Sequence, residues 1–498
     1  MLKKKVNYVK LSAQASGRSP RDLKKEIERV QMDFGITPKE YYTNKYYEMS
    51  PTQQARKAGK IIKDRNRRQG YIDLIHAETG LGEDEIHQII RDRNKLGIFN
   101  LTLFLFTKFE LYKQTKEEQI ETIKLLARRK ELRQELAKGF EAVDAGQLTY
   151  DDLSDQIEEF YDIHRRIMPE SFKQEMADAI AKSRPEVLTD RDLFEQVTVD
   201  MEATRNLLRF TTGEYISFHF STKTIPEKRE FINEQERTEL LGKLNDMSKA
   251  DNLDNKYLCY SALKEYYGRK MILAESMDDF DKFQEFCEGL DEFVKKPISD
   301  SLGRGIELIA VDRDNLQAQF AKLLEENNTF IAEECIVPHE AIRALHPGSV
   351  NTIRLITYFD GEKTIIQYPF MKIGQGGAFI DNGGAGGILA SIDADKGFIS
   401  TDGIDENGVI YKVHPDTGIT LKGYQLPDWE SAIQLGNALS NKIPGFCYIG
   451  WDITYTADNK WIIVEGNSKT QFFGQQSTTD TGVKKAVLQT VSGSIKED

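Results

Sequence analysis

The sequence predicts an α-helical domain over residues 1–200, followed by an α+β region that runs to the end of the chain. Three observations carry this reading. Up to about residue 200 the chain is charged and glycine-poor, with apolar residues at helical spacing, as in "TKEEQIETIKLLARRKELRQELAKGFEAV". From about residue 290, short β-type runs separated by glycines take over: "EFVKKP", "TFIAEECIV", "NTIRLITYFDG", "TIIQYPFMKIG" and "GVIYKV". Helical segments such as "LPDWESAIQLGNALSNKI" fall between these runs, so the second part mixes both element types.

At 498 residues the chain is too long for one core. Its net charge of −13 argues against general affinity for nucleic acid or an anionic membrane. The four cysteines, Cys259, Cys287, Cys335 and Cys447, show no CxxC or metal-ligand spacing, which predicts buried thiols in a reducing cytosol. The basic N-terminus has no apolar core behind it, and "LGIFNLTLFLF" is too short and too broken to span a bilayer. A cytoplasmic protein with no signal peptide and no membrane insertion is expected.

In the helical part, "SPTQQARKAGKIIKDRNRR" opens with Ser50 as a cap and Pro51 at the first helical position. It leads into "YIDLIHAETGLGEDEIHQIIRDRNKLGIF", a helix, a glycine turn and a second helix, which resembles a helix-turn-helix. The second helix carries Glu83, Asp84, Glu85 and Asp92 where base contacts would be wanted, so an αα-hairpin with a solvated basic face is the plainer reading.

In the β-rich part, "FVKKPISDSLGRGIELI" is a strand with lysines, then a loop with Gly303 and Gly305. A glycine loop lets backbone N–H groups close over phosphates while a strand lysine neutralises their charge. Alone, the pattern equally suits a surface turn, and no GxxxxGK[ST] or strand-linked GxGxxG accompanies it. Next, "FIAEECIVPHEAI" brings Glu333, Glu334 and Glu340, and "SVNTIRLITY" brings Asn351 and Arg354. Last, "GWDITYTADNKWIIVEGNSKT" reads as a hairpin whose turn, centred on Asp458-Asn459, sets Asp452 opposite Glu465 with Asn467 close behind. Facing carboxylates repel unless something neutralises them. Asp452, Glu465 and Asn467 offer hard oxygen ligands that suit Mg²⁺ better than zinc. An exposed pair relieved by solvent or by Lys469 is the plainer alternative for the hairpin alone.

Taken in order, "VKKP…G.G", "EECI…HE", "NTIR" and "WDI…VEGN" resemble an ATP-grasp enzyme. "HPGSVNTIRLITY" with "AFIDNGGAGGILASID" is similar to the sugar-transfer-associated ATP-grasp family, related to a teichuronopeptide biosynthesis protein. The resemblance implies an ATP-grasp fold, two α+β subdomains that clamp ATP: residues 201–345 hold a segment that precedes the ATP-grasp fold and the small subdomain with its glycine loop and adenine hinge, and 346–498 the C-terminal subdomain with the magnesium hairpin. By that resemblance Lys256 and Lys296 are phosphate lysines, with Lys295 as a substitute one register away. Ser301, Gly303 and Gly305 form the loop over the phosphates. Glu333, Glu334, Cys335 and Ile336 are the hinge whose backbone reads adenine, and Glu340 takes the ribose hydroxyls. Arg354 is the cation near the transferred phosphate, and Asp452, Glu465 and Asn467 are the magnesium ligands. Asn351, Lys372 and, within "DNGGAGG", Asp381, Asn382, Gly386 and Gly387 are candidates for substrate contact; an inert glycine loop is the alternative.

The chemistry implied is ATP- and Mg-dependent ligation of a carboxylate to an amine through an acylphosphate, with Lys256, Lys296 and Arg354 around the transferring group. An amino acid or small acid would be joined to an amine on a sugar or peptide of a cell-surface glycan. Two rivals stand beside it: phosphoryl transfer to a hydroxyl at the same site, and a nucleotide-sensing or DNA-binding protein without turnover. The helical domain is open to three roles, binding the acceptor, a glycosyltransferase partner or a second protomer.

Overall fold

The computed structural model describes residues 51–298 and 305–494, with a few positions between 19 and 28; Ser50, Ser301 and Gly303 lie outside the described residues. The chain divides into two compact units, one of residues 1–176 with 198–203, the other of 177–197 with 204–498.

Among the described residues the first unit is helical. Helix Pro51–Thr79 ends at Gly80, whose φ of +75° is the left-handed conformation that closes helices, and helix Glu83–Asn94 follows. The acidic start of that second helix is engaged locally: Glu85 accepts from the Gly82 N–H at 2.8 Å, and Glu83 pairs with Arg68. The longest remaining helix, Lys116–Asp144, begins with a Thr115/Glu118 capping box. It buries Leu126, Leu132 and Leu136 and packs along helix Ser154–Ile167, which buries Phe160 and Ile163. His164 is buried with them, its Nδ1 2.7 Å from Phe160 O. Burial and the nearby Arg129 push its pKa down to about 3.

The second unit opens with short helices up to Tyr266 and then builds two antiparallel sheets. The smaller holds β1 (Met271–Ala274), β2 (Glu292–Lys296), β3 (Glu307–Ala310) and β4 (Phe330–Glu334), in the order β1-β4-β2-β3. Helices Phe280–Cys287 and Leu316–Asn327 cover one face, where Phe283, Phe293, Phe320 and Phe330 form a core. The larger sheet holds β5 (Thr352–Phe359), β6 (Thr364–Ile373), β7 (Ile388–Ser391), β8 (Gly403–Ile404), β9 (Ile410–Tyr411), β10 (Tyr448–Tyr455) and β11 (Trp461–Asn467), in the order β11-β10-β5-β6-β7-β8-β9. Side chains alternate along a strand, and Ile353, Leu355, Met371, Trp451 and Ile463 build the main core on one face with helix Trp429–Leu439. The other face carries Thr352, Arg354, Lys372 and Asp452. No helix among the described residues is long and apolar enough to cross a membrane.

Candidate active site

The expected Asp452–Glu465 pair is present in the β10–β11 hairpin, but the turn beneath it is not the expected one. Thr456 N–H donates to Lys460 O at 2.9 Å, closing a loop of Ala457, Asp458 and Asn459, with Asn459 at φ +59°. In that register Tyr455 faces Trp461 and Ile453 faces Ile463, so Asp452 would next face Val464. A register shift intervenes: Val464 is an extra residue, a β-bulge, and Asp452 faces Glu465 instead. Without it Glu465 would turn to the opposite, apolar face.

Asp452 is buried, and two cations hold it. Arg354 donates through Nε to Oδ1 at 2.6 Å and through Nη2 to Oδ2 at 3.1 Å, and Lys372 Nζ donates to Oδ2 at 2.9 Å. Burial alone would raise the Asp452 pKa, but the charges of Arg354 and Lys372 outweigh it and hold the carboxyl below its ordinary range. Glu465 moves the other way: burial first, then the Asp452 charge, raise its pKa, although Lys256 Nζ lies 3.8 Å from Oε2. Arg354, Lys372 and Lys256 thus offset part of the repulsion expected of the facing carboxylates, and the Asp452 charge still acts on Glu465. Asn467 stands opposite Gly450 on the same face as Glu465, its Nδ2 donating to Gly450 O at 3.3 Å. Three oxygen-bearing side chains on one face make a hard donor set of the kind that suits a divalent cation such as Mg²⁺, with both Asp452 oxygens already accepting from Arg354 and Lys372.

Gly450 clears the space beside this set. A Cβ there would lie 2.2 Å from Thr470 Oγ1 and 3.1 Å from Arg354 Cδ. Thr470 Oγ1 in turn accepts from Arg354 Nη1 at 3.3 Å.

On the small sheet, Lys296 and Lys295 point to opposite faces. Lys296 pairs with Glu333, while Lys295 reaches Glu307 Oε1 at 2.7 Å and Asn327 Oδ1 at 3.0 Å on the helix-covered side. The side chain of Glu333 is buried between Lys296 and Arg269. Its strand pairs on both edges, with β1 and with β2, so the Glu333 backbone belongs to the ladder. Glu334 also pairs, and its N–H donates to Lys270 O at 3.0 Å. Cys335 and Ile336 follow the strand end, and Glu340, exposed, opens the short helix Glu340–Arg343. Lys256 starts helix Lys256–Leu263, its N–H donating to Ile298 O at 3.1 Å just beyond β2. Gly305 resumes the described chain with a φ of +71°.

The substrate candidates are placed unequally. Lys372 stands in the cation pair on Asp452. Asn351 is fully buried with a φ of +55°; its Nδ2 donates to Ile342 O and His346 O, and its Oδ1 accepts from Ser349 Oγ and Gly374 N–H. That amide is engaged inside the fold. Asp381 accepts from Thr352 N–H at 2.6 Å, tying the glycine segment to the start of β5. Asn382 caps the turn that follows, and Gly386, at φ +88°, accepts from Gln375 through its carbonyl. Gly387 packs where a Cβ would meet Asp381 O at 2.4 Å, so the glycines are required by the loop itself.

Arg269, Gly450 and Thr470 escaped the sequence reading. A glycine inside a β-rich run was the signal for Gly450. Arg269 offered none, because most of its partners are backbone carbonyls.

The profile of the sugar-transfer associated ATP-grasp family matches residues 235–492. No curated protein matches the chain. Among solved structures, D-alanyl-alanine synthetase A from Vibrio cholerae O1 biovar eltor is 12% identical with a TM-score of 0.32, covering 49% of this chain and 65% of its own. The chain thus spans slightly under two thirds of that relative. D-alanine–D-alanine ligase from Bacillus anthracis is 14% identical with a TM-score of 0.32, covering 52% of this chain and 74% of its own. The ATP-grasp ligase PsnB, complexed with minimal precursor, Mg and ADP, is 11% identical with a TM-score of 0.29, covering 51% of this chain and 62% of its own. With the match running over more than half of its length and across both sheets, the chain belongs to the sugar-transfer associated ATP-grasp family.

Proposed function

We propose that this protein is an ATP- and Mg-dependent ligase that joins a carboxylate to an amine through an acylphosphate, attaching an amino acid or small acid to a sugar or peptide amine in cell-surface polysaccharide biosynthesis. The observation that carries the reading is the charge cluster on one sheet face, centred on the buried Asp452: Asp452 and the part-exposed Glu465 with Asn467, surrounded by Arg354, Lys372 and Lys256. Asp452, Glu465 and Asn467 would hold magnesium, which when bound neutralises phosphate oxygens and stabilises charge on the transferring group. Lys256, Lys296 and Arg354 would supply the remaining positive charge around the phosphates, and fixed cations act strongly where water is excluded. By the resemblance Ser301, Gly303 and Gly305 would cover the phosphates, while of the Glu333–Ile336 hinge the backbone of Cys335 and Ile336, beyond the strand, would receive the base and Glu340 the ribose.

In this scheme the substrate carboxylate attacks the γ-phosphorus of ATP, ADP leaves, and the amine then displaces phosphate to form the amide. Asp452 and Glu465 act as ligands, so neither has to exchange a proton. The test is turnover with magnesium and pooled amino acids and amino sugars, following ADP and free phosphate separately. ADP and phosphate rising together only with a carboxylate–amine pair, and failing in Asp452→Asn/Glu465→Gln, is the expected result. ADP without phosphate would reveal transfer to a hydroxyl instead.

A further inference from the structure

Arg269 precedes β1 by two residues, is buried, and binds both sheets at once. On one side it forms an ion pair with Glu333 of β4, which also holds Lys296. On the other side Nη1 donates to Ile463 O at 2.6 Å and Nη2 to Val464 O at 3.3 Å; Nη1 also donates to Tyr267 O at 2.9 Å. Ile463 and Val464 are where the β10–β11 register shifts. β11 is the edge of its sheet and the bulge breaks its one ladder locally, so buried carbonyls at this point need a donor from elsewhere.

We propose that Arg269 is a positioning residue for the carboxylate of Glu465. Its guanidinium holds the bulge, and the bulge turns Glu465 to the side of Asp452. Through Glu333 the same guanidinium fixes Lys296 relative to that carboxylate. A lysine could keep the charge against Glu333, but it lacks the planar fork that reaches a carboxylate and carbonyls in different directions. The inference rests on the reading of Asp452, Glu465 and Asn467 as magnesium ligands.

The experiment is a calorimetric titration of the full chain with Mn²⁺ in the presence of ADP. Arg269→Met and Arg269→Lys are compared with the unaltered chain. Leu323→Ala, in the helix-covered core of the small sheet, controls for plain loss of stability. Outer partners of metal ligands typically change affinity by about 10- to 100-fold. Both Arg269 variants are expected to weaken Mn²⁺ binding by about that factor, while Leu323→Ala leaves it unchanged. Native affinity in Arg269→Met would overturn the inference, as would full recovery in Arg269→Lys, which would assign the effect to the Glu333 charge alone. Equal weakening in Leu323→Ala would overturn it too. If the unaltered chain binds no Mn²⁺, or binds it equally well in Asp452→Asn/Glu465→Gln, the magnesium reading falls and this inference falls with it.

Discussion

Arg354 grips both oxygens of Asp452, Nε on Oδ1 at 2.6 Å and Nη2 on Oδ2 at 3.1 Å. Removing one partner of a buried pair typically costs about 3–5 kcal/mol, because the other charge stays buried. Arg354→Met is expected to lose up to that much in urea unfolding, Lys372 remaining on Asp452. Adding Lys372→Met should deepen the loss, because Asp452 then keeps neither cation. A double variant as stable as Arg354→Met would contradict this account.

Gly450→Ala would place a methyl group 2.2 Å from Thr470 Oγ1 and 2.6 Å from Thr470 Cβ. Overpacking of this kind costs about 1–3 kcal/mol. Thr470→Gly in the same chain should restore most of the unfolding midpoint, since the obstructing side chain is then absent. No recovery would locate the strain elsewhere.

At Asn351, replacement by glycine keeps the positive φ but removes the amide, stranding the His346 carbonyl and the Gly374 N–H, while Ile342 O keeps the Leu345 N–H and Ser349 Oγ keeps His346 Nδ1. Each buried group left without its partner costs about 1–3 kcal/mol. Replacement by aspartate keeps the acceptor and sets negative charge against two carbonyls, so it should be the more damaging of the two. Chemical denaturation of both variants checks the order.

His164 makes the helical unit sensitive to acid. Its folded pKa of about 3 lies below the ordinary value of 6.5, so the unfolded chain takes up the proton first. The stability it contributes is complete above about pH 6.5 and is lost as pH falls toward 3, by at most about 1.4 kcal/mol per pH unit. Unfolding followed between pH 7 and pH 4 should show a shallower decline in His164→Leu. Parallel curves for the two proteins would exclude His164 as the source.

The hairpin shows why some of the site could be read from the sequence and some could not. β-branched and aromatic arms around "ADNK" locate two strands, and the nearness of Asp452 and Glu465 follows. A turn centred on Asp458-Asn459 predicts the same pairing, but the loop has three residues and the bulge at Val464 restores the alignment. A bulge depends on tertiary donors, here Arg269, that leave no local pattern. The opposite faces taken by Lys295 and Lys296 could be read from strand alternation, but which face meets the helices could not. The internal engagement of Asn351 was hidden for a related reason: its partners lie on neighbouring loops, and an asparagine before a strand looks the same whether it binds a ligand or closes a turn.

The extra residue at Val464 gives the arm from Trp461 to Glu465 a parity. Because side chains alternate, adding or removing one residue without a compensating bulge would swing the carboxylate into the apolar layer, whereas a change of two would move it along the strand without turning it over. Descendants of this chain can lengthen the arm by even steps, or by an odd step only if the bulge is gained or lost with it. Arm length therefore works like a reading frame, and a relative that breaks it should have surrendered its paired carboxylates.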